Sequence, residues 1–329
     1  MRALAVLFGV LAVLTGAGAA LSLWAFSPPG AGGPTLEFRI APGSSLGSVA
    51  RDLEGAGLVR SARALEWLGR WRGVASELRA GEYDLSPGLP ANEILTRLVE
   101  GRVRTYEVSI PEGWNASQIA GRLQELGLAD ETELLELVRD PGLAGRLGVE
   151  GGSLEGYLFP ETYQLARGLP ARAILEALVG QFLEQWRELE PLARDQGRSM
   201  QEVVTLASIV EKETGADGER ALIAAVFLNR LSRRMRLESD PTTIYGIPDF
   251  DGNLRRVHLE DEQNPYNTYR ISALPPGPIA SPGADALRAV LEPAKSEYLY
   301  FVSRNDGTHQ FSRTYREHLA AVNRYQRKR

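Results

Sequence analysis

The stretch SMQEVVTLASIVEKET, residues 199–214, decides how the C-terminal half of the chain is built. Ser199 followed three residues later by Glu202 is a capping box, which predicts that a helix begins here. Gly215 predicts where that helix ends, because glycine adopts the left-handed conformation at low cost. Most positions between these two signals are apolar, so we expect a helix that is buried on nearly every side.

Two glutamates, Glu211 and Glu213, interrupt the apolar pattern near the end of this helix. At about 100° per residue they point roughly 160° apart, so we do not expect them to serve one site as a pair. Burial at the end of an apolar face raises the pKa of a carboxyl group, as a general acid in glycosidic cleavage requires. The alternative is that both are surface residues or ion-pair partners. Periodicity does not choose between Glu211 and Glu213.

The N-terminus predicts export. Residues Ala3 to Phe26 form one apolar run, preceded by Arg2 and carrying Trp24 near its far end. A run of about 20 apolar residues can span a bilayer, and the flanking charge predicts a cytoplasmic N-terminus. We therefore expect an anchor over residues 1–26, a Pro/Gly-rich linker over residues 27–35 and an extracytoplasmic body. A cleaved signal peptide is the alternative and also exports the chain.

Two segments within residues 36–148 resemble each other: FRIAPGSSLGSVARDLEGAGL at 38–58 and VSIPEGWNASQIAGRLQELGL at 108–128. Each predicts a short strand, a turn and an amphipathic helix that ends near a glycine. Such a repeat is typical of a binding module, although the same pattern also packs a small core. The sequence leaves both interpretations open.

Composition excludes several classes of function. The net charge is −5 and the chain has no cysteine, so clustered basic surfaces for nucleic acid and thiolate metal sites are not expected. The three histidines are widely spaced, without the HExxH pattern of zinc hydrolases. We expect no metal and no organic cofactor.

Three loop-rich stretches read GGSLEGYLFPETYQL (151–165), ESDPTTIYGIPDF (238–250) and NPYNTYRISALPPGPIASPG (264–283). Aromatic and carboxylate side chains on loops such as the first often contact ligands. The mix of aromatic, amide and carboxylate side chains in the other two is typical of sugar-binding surfaces. A well-packed irregular loop is the alternative. The alternating YLYFVS (298–303), the turn Asn305–Gly307 and the following HQF (309–311) predict a hairpin.

Seven ordered motifs resemble the YceG-like family of membrane-bound endolytic murein transglycosylases. They are EGYLFPETY (155–163), LASIVEKET (206–214), VFLNRL (226–231), SDPTTIYG (239–246), YNTY (266–269), LPPGPIASPG (274–283) and YLYFV (298–302). The resemblance implies an α+β fold with one N-terminal transmembrane helix, a small LysM-like βα module and a mixed α+β catalytic domain over residues 149–329. It also implies a location in the cytoplasmic membrane, with peptidoglycan glycan strands as substrate and peptidoglycan synthases as possible partners.

The resemblance further implies cleavage between N-acetylmuramic acid and N-acetylglucosamine, leaving 1,6-anhydro ends and terminating glycan polymerisation. The first glutamate of IVEKET, Glu211, matches the family's catalytic residue. Glu238 stands where glutamine is expected, so the role of that position is open. Candidates for sugar contact or for stabilising charge are Glu155, Tyr157, Tyr163, Glu213, Asn229, Asp240, Tyr245, Asn267 and Tyr269.

Two other functions compete with this one. A hydrolytic muramidase would need a second carboxylate near the first, to position a water molecule. A non-catalytic scaffold that binds the wall would tolerate replacement of Glu211.

Overall fold

The computed structural model describes residues 15–18 and 20–327. The predicted transmembrane segment, Ala3–Phe26, therefore lies mostly outside the described residues, as does the end of the basic C-terminal tail. Within the part that is described, no helix has both the length and the apolar character needed to cross a bilayer. The described chain forms two compact units.

The smaller unit comprises residues up to Tyr106 together with Gln164–Gly168. Its two strands pair antiparallel, with Phe38 opposite Tyr83. Ser45 and Ser61 cap the first two helices through their side chains. The apolar faces of the helices close over the strands around fully buried Leu65. The elements are β1 (Leu36–Ile40), α1 (Leu46–Gly55), α2 (Ala62–Trp71), β2 (Gly81–Leu85) and α3 (Ala91–Glu100).

The larger unit comprises residues 107–163 and 169–329. Strand β3 (Thr105–Ser109) pairs with β4 (Thr162–Ala166), and the division between the units falls within both of these strands. A C-terminal hairpin of the larger unit supplies β5 (Tyr300–Ser303) and β6 (His309–Ser312). The predicted hairpin is thus confirmed. The helices are α4 (Ala116–Glu125), α5 (Glu131–Val138), α6 (Pro141–Leu147), α7 (Ala171–Asp195), α8 (Met200–Glu213), α9 (Arg220–Ser232), α10 (Asp240–Tyr245), α11 (Arg256–Glu260), α12 (Ala284–Leu291) and α13 (Tyr315–Tyr325).

The repeat predicted from sequence has the expected local structure in both copies. Each is a strand followed by a tight turn and a ten-residue helix, with Gly43 at φ +78° and Gly113 at φ +75° in the two turns. The two copies nevertheless belong to different units, because the contacts divide the chain after Tyr106. Sequence similarity placed both copies in one region ending at 148.

Helix α8 has the predicted bounds and the predicted capping box, formed by Ser199 and Glu202. An unbroken run from Val203 to Val210 is buried. Helices α7, α9, α10 and α12 all pack against it, so α8 is the central helix of the larger unit. Because these neighbours restrain α8, the side chains at its C-terminal end are held in defined positions.

Candidate active site

The two glutamates at the end of α8 lie in different surroundings, as their helical spacing predicts. Glu213 lines a cavity of about 540 Å³, whereas Glu211 is absent from that lining. Glu211 instead lies against an arginine and a backbone amide. The two carboxyl groups therefore differ in what each can do chemically.

The cavity beside Glu213 is assembled from segments that are distant in sequence. Helix α8 provides Glu213, the SDPT motif provides Asp240, and the YNTY motif provides Tyr269. All three are among the candidates drawn from the sequence, and the structure brings them together. The remaining lining residues are Arg230, Leu237, Glu238, Phe301, Val302, His318, Val322 and Gln326.

The carboxyl group of Glu213 is desolvated and hydrogen-bonded. Burial raises its pKa above the ordinary value, and the nearby Asp240 carboxylate raises it further. The Ser239 hydroxyl donates to Oε1 at 2.6 Å and acts in the opposite direction, as do the nearby His309 and Arg230 side chains. Since burial is the largest influence, Glu213 binds a proton more tightly than a glutamate in water.

Asp240 is exposed to the cavity and is the first residue of α10. Its Oδ1 accepts a hydrogen bond from the Tyr269 hydroxyl at 2.7 Å. Burial raises the pKa of that hydroxyl, and the bond to Asp240 raises it further, so Tyr269 stays a neutral donor. The pair presents a fixed negative charge to whatever occupies the cavity.

Glu238, the position left open by the sequence, also lines this cavity. Its Oε2 lies 3.1 Å from Nη1 of Arg230, which is buried and also donates to the carbonyl oxygens of Leu299 and Leu237. The backbone of Glu238 has φ +52°, in the left-handed region that non-glycine residues seldom adopt. Such strain is found where the surrounding structure fixes a loop at a functional position.

Glu211 is part of a charged cluster that the sequence did not reveal. One of its oxygens lies 3.3 Å from Nη2 of Arg220, and the other accepts from the Gly283 amide at 3.0 Å. Nη2 of Arg220 also lies 3.2 Å from Glu112. The Glu211 side chain is 7% exposed. Glu112 belongs to the second repeated turn, and that turn was the only sequence signal for it.

A second cavity, of about 530 Å³, is lined by Glu155 and Tyr245. The Glu155 carboxylate accepts hydrogen bonds from the Ala116 amide at the start of α4 and from the Tyr245 hydroxyl at 3.0 Å. Burial raises the pKa of Glu155 to about 7, although these hydrogen bonds act in the opposite direction. The hydroxyl pKa of Tyr245 is also raised, mainly by burial. Neither residue lines the Glu213 cavity.

The remaining four candidates make contacts within the protein. Tyr157 is buried and packs edge-on against Phe182, with ring centroids 5.0 Å apart. The hydroxyl of Tyr163 donates to the Phe159 carbonyl. The amide of Asn229 donates to the carbonyls of residues 296 and 298, and that of Asn267 to the carbonyls of residues 258, 259 and 261. These side chains hold the loops that shape the site.

Among the described residues, no group of three or more histidine, aspartate or glutamate side chains could hold a metal ion. The charged groups of the larger unit that bear on chemistry are carboxyl groups and the arginines paired with them. The larger unit is an α+β domain in which a desolvated carboxyl group, at the end of a buried helix, faces a polar cavity. These features are those of proteins whose sites transfer protons through carboxyl groups.

The chain belongs to the YceG-like family, whose sequence model matches residues 38–324. It is 29% identical to the endolytic murein transglycosylase of Bacillus subtilis (strain 168) over 307 residues, which cover 88% of this chain and 85% of that protein. It is 30% identical to the endolytic murein transglycosylase of Streptococcus pneumoniae (strain D39) over 80% of this chain, but it spans only 53% of that relative.

A solved structure has the same fold. The 2.6 Å crystal structure of a YceG-like protein from Listeria monocytogenes matches with a TM-score of 0.62 and 30% sequence identity. The match covers 87% of this chain and 99% of the Listeria chain.

Proposed function

We propose that this chain is an endolytic murein transglycosylase, a lyase that cleaves glycan strands of peptidoglycan between N-acetylmuramic acid and N-acetylglucosamine. The products carry 1,6-anhydro-N-acetylmuramic acid ends, and cleavage of nascent strands terminates their polymerisation. Family membership and the names of the relatives from Bacillus and Streptococcus support this function. The observation that carries the chemistry is a buried glutamate, Glu213, whose pKa is raised and which lines a cavity together with Asp240 and Tyr269.

Glu213 is the acid/base that the geometry favours. Its carboxyl group is desolvated, holds a proton more tightly than usual and lines an open cavity. A general acid donates a proton to the substrate, and the raised pKa of Glu213 is in the direction that this role needs. The motif resemblance assigns the role to Glu211, whose carboxyl oxygens contact the Arg220 guanidinium and the Gly283 amide. The Glu211 assignment stays a prediction, and the two variants below separate the possibilities.

The reaction needs one carboxyl group and no water. Protonated Glu213 donates its proton to the glycosidic oxygen as the bond to the anomeric carbon of N-acetylmuramic acid breaks. The resulting carboxylate accepts the proton of the 6-hydroxyl of the same sugar, whose oxygen attacks the anomeric carbon. Glu213 ends protonated, as it began. Because the nucleophile belongs to the reacting sugar, no second residue has to position it.

Asp240 stabilises the positive charge that develops on the sugar ring. Its carboxylate is exposed to the cavity and is held by the Tyr269 hydroxyl, so it is oriented before the substrate arrives. A preorganised charge is worth more than one that must reorient during the reaction.

A hydrolytic muramidase is the second candidate, and one observation favours it. Glu213 and Asp240 line the same cavity, so a second carboxylate is present that could activate water. The mass of the products separates the two reactions, since the anhydro product lacks one water.

The decisive experiment incubates the full-length chain with uncrosslinked glycan strands and weighs the products. Anhydro-ended fragments that disappear with Glu213→Gln and persist with Glu211→Gln would support both the reaction and the residue. Loss with Glu211→Gln alone would transfer the role to Glu211. Products that carry the extra water would make the enzyme a muramidase, and strands left intact by the unmodified chain would favour the scaffold.

We also propose that residues 1–26 anchor the chain in the cytoplasmic membrane, with the N-terminus in the cytoplasm and the body outside. The apolar run and its flanking Arg2 support this topology. In this location the enzyme would meet nascent strands beside peptidoglycan synthases. The strand–helix pairs within residues 36–148, one in each compact unit, are proposed to bind glycan in the manner of LysM-like modules.

A further inference from the structure

The smaller unit has an exposed aromatic surface formed by Trp24, Phe26, Trp67 and Trp71, the aromatic patch. Trp67 and Trp71 are 58% and 72% exposed and stack on each other, with ring centroids 6.1 Å apart and ring planes 7° from parallel. The ring centroid of Phe26 lies 6.2 Å from that of Trp67. Soluble proteins rarely expose large contiguous apolar surfaces. Where such a surface occurs, it marks an interaction site.

The aromatic patch continues into the end of the apolar run. Leu21, Leu23 and Trp24 are 65%, 75% and 50% exposed. Arg60 holds this end in place, since its guanidinium lies over the Trp24 ring at 5.5 Å and its Nε donates to the Pro28 carbonyl at 3.0 Å. The start of the linker predicted over residues 27–35 is thus held by Arg60 of the smaller unit, so the patch has a fixed position beside the run.

Arginine side chains lie on α2 beside the patch. Arg63, Trp67 and Trp71 follow one another at intervals of four on α2 and therefore share one face of the helix. Arg70 pairs with Glu66, the acidic residue of α2, and Arg72 follows at the end of the helix. Tryptophan flanked by arginine is the composition that settles at the headgroup level of an anionic bilayer.

We propose that the aromatic patch docks on the headgroup–acyl boundary of an anionic phospholipid bilayer. The inference rests on the membrane anchor proposed above, because the patch lies where the apolar run would leave the membrane. Exposed Leu21 and Leu23 directly precede Trp24 of the patch in the sequence and offer nothing to a polar glycan, so lipid is the occupant that fits both the patch and these side chains. Docking would hold the smaller unit against the membrane on two attachments, the anchor and α2.

The absence of cysteine permits a direct test. The full-length chain with Arg63→Cys is labelled with an environment-sensitive fluorophore and reconstituted into vesicles of phosphatidylglycerol and phosphatidylethanolamine. Arg39→Cys, at an exposed position of β1, is the matched control. We expect headgroup-level spin-labelled lipid to quench the label at 63, and aqueous iodide to quench only the label at 39. Adding Trp67→Ala and Trp71→Ala to the Arg63→Cys chain should weaken docking by about tenfold or more.

Flotation of the vesicles separates the possible failures. A chain that does not float with the vesicles would overturn the anchor and this inference together. A chain that floats with the label at 63 open to iodide would overturn the inference and leave the anchor intact. Protection by glycan strands in the absence of vesicles, lost in the double tryptophan variant, would assign the patch to glycan and also overturn it.

Discussion

At the scale of single residues, the reactivity of Glu213 is set by two opposing influences on its carboxyl group. Burial raises the pKa, and the hydrogen bond from Ser239 lowers it by stabilising the ionised form. The proposed reaction needs protonated Glu213, so its rate must fall as the pH rises through that pKa. Ser239→Ala removes the largest of the influences that lower this pKa, and we expect the alkaline limb of the pH–rate profile to move to higher pH.

Ser232→Ala is the matched control for this experiment, because the exposed Ser232 hydroxyl donates to the Asn229 carbonyl within α9. Its profile should coincide with that of the unmodified enzyme. An unchanged alkaline limb in Ser239→Ala, with cleavage still measurable, would show that Glu213 is not the group that must be protonated.

The raised pKa of Glu155 should make the stability of the fold depend on pH. Its pKa in the folded protein is raised from 4.5 to about 7, so the folded state binds the proton more tightly than the unfolded state. The free energy of unfolding should therefore fall as the pH rises from about 4.5 to about 7, by on the order of 3 kcal/mol. Glu155→Gln should flatten this decrease, as urea unfolding at pH 5 and at pH 7.5 can measure.

Glu161→Gln, an exposed position in the same motif, should keep the slope of the unmodified protein. Equal slopes for all three proteins would mean that Glu155 does not titrate in this range. Such a result would mean that burial does not raise the pKa of the Glu155 carboxyl group.

At the scale of elements, helix α8 was predictable because its signals are local. The capping box, the apolar run and the glycine lie within one stretch of 17 residues, 199–215, and the structure follows them. The cavity was only partly predictable, because Glu213, Asp240 and Tyr269 meet through tertiary packing. Composition singled out the aromatic and amide loops, yet it could not tell Asn267, which is buried inside its loop, from Tyr269, which faces the cavity.

The loop that begins the EGYLFPETY motif (155–163) packs closely against α8. Gly156 has φ +84°, and a Cβ atom there would lie 2.4 Å from Cβ of Pro278 and 3.1 Å from Cγ1 of Val204. Gly156→Ala should therefore destabilise the fold by about 2–4 kcal/mol through backbone strain and overpacking. Thermal or urea unfolding measures the change.

Gly180→Ala is the control, and we expect it to change the free energy of unfolding in the opposite direction. Gly180 lies inside α7, and a Cβ atom added there would meet no atom within 4 Å, so alanine should stabilise the helix by about 0.5–1 kcal/mol. If Gly156→Ala were as harmless as Gly180→Ala, the close packing of the loop on α8 would be refuted.

At the scale of the whole molecule, the division of the chain could not be derived from its repeat. Similarity between residues 38–58 and 108–128 suggested one region, but the strand of the second copy pairs with β4, more than 50 residues later. Pairing over such a distance leaves no local signal in the sequence. What the repeat did establish correctly is the local structure of each copy.

Because each unit buries apolar residues of its own, we expect the two to respond separately to core mutations. Leu65 is fully buried in the smaller unit, and Leu65→Ala should cost about 2–5 kcal/mol there. Amide hydrogen exchange should then accelerate in α1, α2, α3 and the β1–β2 pair, while α8 keeps its protection. Leu206→Ala, at a fully buried position of α8, should give the reverse pattern. Faster exchange in both units from either variant would instead mean that the chain opens as a single cooperative body, so that damage to the smaller unit would also disturb the acid/base at the end of α8.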